Sequence, residues 1–216
     1  IYLLSKGNLT PGNYKSISLD INAKQGTSDS YIILPSDTAT TPTHSLYIPT
    51  GNPTTISAPI NFTMQKDGSV GITIDFDLRA SIVQDPSNPN NYILSPVLRA
   101  VDNTKFGTIS GVVSQSLITT GCTPAIYVYS GNVTPTDVNT NASTGTVQPI
   151  TSALLAYNST TSNYNFNASF LPAGTYTVAF TCQAADDHAN QADNITFSPV
   201  TTATVTTGVD TVVTFQ

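Results

Sequence analysis

Apolar and polar residues alternate strictly over residues 71–80, which read Gly-Ile-Thr-Ile-Asp-Phe-Asp-Leu-Arg-Ala. A period of two residues places apolar side chains on one face of an extended segment and polar side chains on the other. No helical stripe fits this pattern, so it predicts a half-buried β-strand over the whole run. Asp75, Asp77 and Arg79 would then share the polar face of that strand.

Similar runs recur between turn residues and predict further strands. They cover about 14–21, 31–34, 46–48, 60–64, 92–101, 108–113, 125–130, 152–157, 163–168, 175–182, 194–197 and 201–215. Asp67 and Gly68 between two alternating runs are typical of a β-hairpin, and Pro96 inside its run indicates an edge position or a bulge. No segment has the pattern of a helix longer than a turn or two. The chain is therefore predicted to be all-β.

Composition supports this fold class. Charged residues make up only 9% of the 216 residues, against about 25% in ordinary soluble domains. Every acidic residue is an aspartate, so long straight-chain helix formers are scarce, and Thr, Val, Ile and Tyr take their place.

The charges are divided unevenly along the chain. All basic residues precede residue 106: Lys6, Lys15, Lys24, Lys66, Arg79, Arg99 and Lys105. The first half thus has seven basic residues and eight aspartates, whereas the second half has five aspartates and no basic residue. Such a half cannot bind phosphates, which argues against nucleic acid and anionic membrane surfaces as partners. No apolar run is long enough to span a membrane.

A boundary near 104–107 predicts two domains, 1–105 and 106–216. Each is long enough to bury a core. The strand spacing predicts two β-sandwiches in tandem, with Greek-key topology of the transthyretin or immunoglobulin type.

The two cysteines, Cys122 and Cys182, both lie beside predicted strands of the second half. An even count within one β-unit favours a disulfide formed in an oxidising compartment. It would close a loop of about 60 residues and contribute about 4 kcal/mol. Two separately buried thiols, or a cysteine nucleophile, are the alternatives, but neither cysteine has an evident histidine partner.

The chain contains two candidate groups of polar residues. Asp75 and Asp77 could act as an acid–base pair, but Arg79 on the same face would keep both ionised, so an ion ladder or a recognition face is favoured over catalysis. The second group could bind calcium or form a plain acidic loop: Asp186, Asp187, Asn190 and Asp193. No catalytic residue and no cofactor other than calcium is predicted, and phosphate-loop and nucleophile motifs are absent from the sequence.

Tyrosine pairs are the candidates for carbohydrate binding, since the chain has ten tyrosines and no tryptophan. Tyr127 and Tyr129 share a strand face, and Tyr157 and Tyr164 flank the following turn. Half-buried packing is the favoured interpretation of these tyrosines, and a sugar platform is the alternative.

Four segments of the first half resemble, in order, the family named domain of unknown function 4382. They are 11–19, 46–49, 74–82 with Asp-Phe-Asp-Leu-Arg, and 92–99 with Leu-x-Pro-Val-Leu-Arg. The resemblance covers about 1–103 and implies a bacterial envelope lipoprotein without an assigned activity. Family members carry further strands before the part that matches Ile1. We therefore expect the first strands of this domain to be missing, disordered or cleaved, and a lipid anchor upstream remains open.

The second half resembles a transthyretin-like, carboxypeptidase-regulatory-like module. The resemblance rests on Gly-Thr-Ile-Ser-Gly-Val-Val at 107–113 and Pro-Ala-Gly-Thr-Tyr at 172–176. Such modules are usually non-catalytic spacers or interaction domains.

Together these observations predict a non-enzymatic protein of the bacterial cell envelope or surface, or a secreted one. Its role would be structural, adhesive or that of a spacer. The alternative is a glycan- or protein-binding module, calcium-assisted or not, with other surface proteins or glycans as partners. An incomplete first domain would also have a free sheet edge able to accept a strand from another copy or a partner.

Overall fold

The structure, a computed structural model, describes residues 4–27, 29–34, 36–37 and 44–216. Its regular elements are strands, apart from one four-residue helix and one 3-10 turn at Gln115–Leu117. The predicted all-β fold is confirmed. Within the described ranges, no helix has the length and apolar character needed to cross a membrane.

The described part of the first half contains eight strands and one short helix. They are β1 (Gly12–Asp20), β2 (Tyr31–Ile32), β3 (His44–Tyr47), β4 (Thr55–Met64), β5 (Ile72–Phe76), α1 (Leu78–Ser81), β6 (Ile82–Gln84), β7 (Tyr92–Leu94) and β8 (Leu98–Asp102). β1 pairs with β4 and β5 with β8, both antiparallel, and the others form a sheet of order β2-β3-β7-β6. Alternation along β4 buries Ala58, Ile60 and Phe62 on one face.

The second half contains another eight strands. They are β9 (Phe106–Ser114), β10 (Ala125–Ser130), β11 (Thr151–Leu154), β12 (Ala156–Asn158), β13 (Asn163–Pro172), β14 (Gly174–Thr181), β15 (Val200–Val205) and β16 (Asp210–Phe215). Two four-stranded sheets result, of order β11-β10-β14-β15 and β12-β13-β9-β16. All neighbours are antiparallel except β9 and β16, which run parallel.

The main core of the second half lies between these two sheets. Ile109 and Phe166 from one sheet pack with Val178 and Phe180 from the other, and all four are buried. Cys122 and Cys182 form the predicted disulfide at the edge of this core. The bridge fixes the segment that precedes β10 to the end of β14.

A second core covers the opposite face of the β10–β14 sheet. Tyr127, Tyr129 and Ala179 are fully buried there, beneath Val138 of the following loop. Ala80 from the first half belongs to the same cluster. Because both faces of β10 are covered, five consecutive residues of this strand are buried rather than every second one.

The strand predicted over 71–80 ends earlier than expected. β5 stops at Phe76, and Asp77 is the N-cap of α1, where its carboxylate accepts a hydrogen bond from the Ala80 amide at 3.1 Å. The local capping signal overrides the alternating pattern, since an aspartate N-cap satisfies an otherwise unpaired helix amide. The strand prediction for 77–80 is therefore wrong.

Five other local predictions need correction. The strands predicted over 152–157 and 201–215 are each two strands of different sheets, β11 with β12 and β15 with β16. The turn at Asp67 does not join a hairpin, because β4 and β5 pair with different strands. The strand predicted over 92–101 is two strands, β7 and β8, separated around Pro96. Residues 194–197 are irregular, although Phe197 packs on the rings of Tyr127 and Tyr129.

In the part of the chain that the structure describes, no sheet combines strands from both sides of Lys105. The two halves nevertheless contact each other through side chains described below. We refer to the described residues up to Lys105 as the first unit and to residues 106–216 as the second unit. That each is an independent domain stays a prediction.

Candidate functional site

A cleft of about 860 Å³ lies where the two units meet. The first unit contributes residues from the end of β5 through β7, and the second contributes parts of 151–154 and 187–191. Its size is within the range typical of ligand sites. The sequence-predicted Asp75, Asp77, Arg79 and Asp187 all line it.

Asp75 is held by an arginine rather than by its neighbours along the chain. Arg99, opposite Asp75 in the β5–β8 pair, donates from Nη2 to Oδ2 of Asp75 at 2.6 Å. The other terminal nitrogen of Arg99 donates to the carbonyl of Phe170 in the second unit. The ion pair is thus also part of the contact between the units.

Asp77 lies beside Asp75 and forms no ion pair with an arginine among the described residues. Burial raises the pKa of its carboxyl above the usual value, and the nearby charge of Asp75 raises it further. The amide hydrogen bond from Ala80 acts in the opposite direction, and the backbone amide and the charge of Arg79 also lower the pKa of the Asp77 carboxyl. Asp77 therefore carries a charge that the protein itself only partly compensates.

Arg79 points into the second unit instead of joining a ladder with the two aspartates. Its Nη1 donates to the Ala184 carbonyl at 2.7 Å, and its guanidinium carbon lies 5.5 Å from the centre of the Tyr127 ring. This is the geometry of a cation–π contact. The predicted ladder of Asp75, Asp77 and Arg79 does not form, although the three residues do line one cleft.

Tyr127 and Tyr129 are buried and cannot form a sugar platform. The Tyr127 hydroxyl donates to Asp187, and the Tyr129 hydroxyl donates to the Thr136 carbonyl. Burial raises the pKa of both tyrosines. The packing interpretation holds for this pair, whereas Tyr157 is about half exposed beside Tyr164, with ring centres 5.1 Å apart.

Three aspartates of the second unit lie close together at the edge of the cleft. One carboxylate oxygen from each of Asp137, Asp187 and Asp193 lies within 4.8 Å of the others. These oxygens already accept hydrogen bonds, among them 2.6 Å from the Asp193 amide to Asp137. Burial raises the pKa of Asp187, against the effect of its donors Tyr127 and Val138.

The cluster overlaps only partly with the calcium ligands predicted from sequence. Asp187 and Asp193 belong to it, whereas Asp186 is exposed and Asn190 uses its carbonyl to accept from Asn141. Asp137 was missed because it lies about 50 residues earlier in the chain, and only the fold brings it there. Calcium binding stays a prediction.

A second polar centre in the first unit was not predicted. The Tyr47 hydroxyl donates to Oδ2 of Asp85 at 2.7 Å, and the Ser87 hydroxyl and amide donate to Oδ1 at 2.6 and 2.8 Å. These donors, led by the Ser87 hydroxyl, lower the pKa of Asp85 to about 2. The Asp-Pro-Ser sequence at 85–87 was a signal for this turn, but its partner Tyr47 is remote in sequence.

Within the described residues, neither histidine contacts a hydroxyl or a thiol. His44 bonds to Asn90 and Asp37, and His188 bonds to Asp193 and Gln191. The described residues thus contain no hydroxyl or thiol hydrogen-bonded to a histidine base.

A family model described as a domain of unknown function (DUF4382) matches residues 2–96. The resemblance predicted for the first unit is confirmed. The family supplies no activity, and the predicted lipoprotein type and the transthyretin-like character of the second unit stay predictions.

Among solved structures, the chain is similar to GBS52, the minor pilin of the gram-positive pathogen Streptococcus agalactiae. The two share 14% sequence identity with a TM-score of 0.26, over 74% of this chain and 66% of the pilin. The chain thus spans just under two thirds of that pilin. A likeness of this size carries no conclusion about fold or function. No curated protein matches the chain.

Proposed function

We propose that this chain is a non-catalytic protein of the bacterial cell envelope or surface, in which two β-sandwich units form one stiff spacer. The observation that carries the proposal is the pair of arginines that bridge the units. Arg79 bonds to Ala184 and covers the Tyr127 ring, and Arg99 bonds to Phe170 while paired with Asp75. Two separate contacts oppose rotation of one unit against the other better than one contact would.

Apolar packing between the units adds to these polar contacts. Ala80, in α1 between the two arginines in sequence, is buried in the cluster around Tyr127 and Ala179. Val83 of the same region packs against that cluster. A hinge would need to expose this surface to water, which costs free energy in proportion to its area.

An extracytoplasmic location is supported by chemistry as well as by resemblance. The Cys122–Cys182 disulfide requires an oxidising compartment to form and persist. A surface built from Thr, Ser and Asn, with 9% charged residues, differs from that of ordinary soluble domains.

The spacer role is tested by removing the arginine contacts between the two units. Arg79→Met and Arg99→Met together keep the apolar stems but remove the hydrogen bonds to Ala184 and Phe170, so we expect a larger radius of gyration by small-angle X-ray scattering. Lys66→Met, at an exposed turn, is the control for the loss of a cation. Scattering from the unmodified protein that requires many relative orientations of the units would overturn the proposal.

A role in assembly is supported by the free edge of β1. In the described part of the chain β1 pairs only with β4. Ser16 lies opposite Pro59, which has no N–H, so this is a non-hydrogen-bonded pair. The N–H groups of Ser16 and Ser18 therefore point away from β4, where a strand from another copy could bind them.

This assembly role predicts concentration-dependent oligomers that Ser18→Pro abolishes, because proline removes one outward donor without touching the β4 ladder. Size-exclusion chromatography with chemical cross-linking measures the effect. Monomer alone at high concentration would exclude strand exchange and leave the spacer role unaffected.

A further inference from the structure

The cleft between the units is acidic, and its positive charge is already engaged. Asp75, Asp77 and Asp187 contribute three carboxylates to its lining. Of the described residues that line the cleft, Arg79 is the one arginine, and no lysine lines it. The Arg79 guanidinium is directed at the Ala184 carbonyl and the Tyr127 ring. The cleft therefore presents an excess of negative charge to any molecule that enters it.

Two of these carboxylates retain capacity to accept hydrogen bonds. Oδ2 of Asp75 is bonded to Arg99, whereas its Oδ1 has no partner among the described residues. Oδ1 of Asp77 accepts the Ala80 amide. Each carboxylate can accept about four hydrogen bonds, so both can accept more. A cation placed between the two side chains would offset the charge of Asp75, which adds to burial in raising the pKa of Asp77.

Apolar side chains line the same cleft from both units. Leu78 of α1 is 56% exposed, and Leu154 at the end of β11 is 77% exposed. Neither belongs to a buried cluster of the described residues. A ligand that matches the cleft must therefore combine a positive head group with an apolar body.

We propose that this cleft binds a lysine or arginine side chain presented by an extended segment of a partner protein. The methylene stem would lie against Leu78 and Leu154, and the cationic head would reach Asp75 and Asp77. A cleft of about 860 Å³ accommodates several residues of a peptide, far more than a bare metal ion needs. A spacer does not require such a site, so this inference goes beyond the function proposed above.

The test titrates the ¹⁵N-labelled chain of residues 1–216 with an acetylated and amidated Gly-Lys-Leu-Lys-Gly peptide, observed by NMR. We expect saturable shifts of the amides of Asp77, Leu78, Leu154 and Ala189, because these residues line the cleft. The matched peptide Gly-Gln-Leu-Gln-Gly keeps the backbone and the leucine but lacks the charges. It should bind at least about five-fold more weakly, the effect of one exposed ion pair.

Asp77→Asn is the decisive variant, because asparagine caps a helix as well as aspartate does and so preserves α1. We expect it to weaken binding of the lysine peptide about five-fold. Asp67→Asn is the control: Asp67 lies in a turn outside the cleft with φ of 58°, which asparagine tolerates, and the same charge is removed.

Three outcomes would overturn the proposal. They are equal binding of the two peptides, equal weakening by Asp67→Asn and Asp77→Asn, and shifts of the cleft amides with calcium chloride but not with the lysine peptide. The last would assign the cleft to a metal ion instead. None of these outcomes bears on the stiffness of the spacer, which scattering measures separately.

Discussion

Two buried tyrosine–aspartate pairs, one in each unit, show that the same kind of hydrogen bond accompanies opposite net shifts of the aspartate pKa. Asp85 accepts from Tyr47 and twice from Ser87, and these donors outweigh burial, so its pKa falls. Asp187 accepts from Tyr127 and Val138, but burial outweighs these donors and its pKa rises. The balance between burial and the donors, rather than the tyrosine alone, decides the sign.

The depressed pKa of Asp85 predicts a component of acid denaturation. Its folded pKa of about 2 lies below the unfolded value of 3.8, so the ionised form stabilises the native state. This stabilisation is complete above about pH 4 and is lost as the pH falls towards 2. We expect Asp85→Asn to be less stable at pH 7 and to lose less stability between pH 4 and pH 2.

Thermal melts at several pH values measure this difference. Tyr47→Phe removes one donor and should reduce the pH dependence only in part. If Asp85→Asn and the unmodified protein lost the same stability between pH 4 and pH 2, Asp85 would not be the titrating group.

At the scale of elements, the central strand β9 depends on a residue without a side chain. A Cβ atom at Gly111 would lie 2.0 Å from the Val213 carbonyl oxygen and 2.7 Å from the Phe166 ring. Both neighbours belong to adjacent strands, β16 and β13, which the core holds in place. The close approach of β16 therefore requires glycine at this position.

Gly111→Ala is expected to destabilise the protein by about 3 kcal/mol, since overpacking of this kind forces strands apart. Urea denaturation followed by circular dichroism gives the value. Gly7→Ala, where nothing lies within 4 Å of the added atom, is the control and should be neutral. A loss below about 0.5 kcal/mol for Gly111→Ala would mean that β16 can shift without cost.

Periodicity and turn residues predicted where most strands lie, because that pattern is local, but not where several of them end. Strands β10 and β14 were predicted within one residue of their bounds. Pairing was not predictable: the turn at Asp67 is a strong local hairpin signal, yet β4 pairs with the distant β1. Asp77 satisfied the strand pattern and the N-cap pattern equally well, and only tertiary context decides between them.

The candidate site was predictable in its residues but not in its geometry. Asp75, Asp77, Arg79 and Asp187 were all selected from sequence, and all line the cleft. The sequence could not indicate that Arg79 turns away to the second unit or that Asp137 joins Asp187. Both contacts link residues at least 50 positions apart, beyond the reach of any local pattern.

At the scale of the whole molecule, the first unit supplies cations that contact the second unit. The second unit has no lysine or arginine of its own, and the arginines that bond to its carbonyls, Arg79 and Arg99, come from the first unit. Its main core, by contrast, is built from its own residues. The second unit should therefore fold alone but be less stable than in the full chain.

Trypsin tests this expectation, because Lys105 is exposed and no cleavage site follows it. The fragment 106–216 should melt cooperatively, a few degrees below the intact chain. Melting is measured by circular dichroism after purification of the fragment. A fragment without a cooperative transition would contradict the predicted division into two domains.

The parallel pairing of β9 and β16 has a mechanical consequence. Force applied at Phe106 and Phe215 would pull the two strands past each other along their length, because the paired ends, Thr108 with Asp210 and Val113 with Phe215, run in the same direction. The hydrogen bonds of the ladder would then be loaded together in shear instead of breaking one after another. We therefore expect the second unit to unfold at a higher force when pulled from these two residues than when its strands are peeled apart.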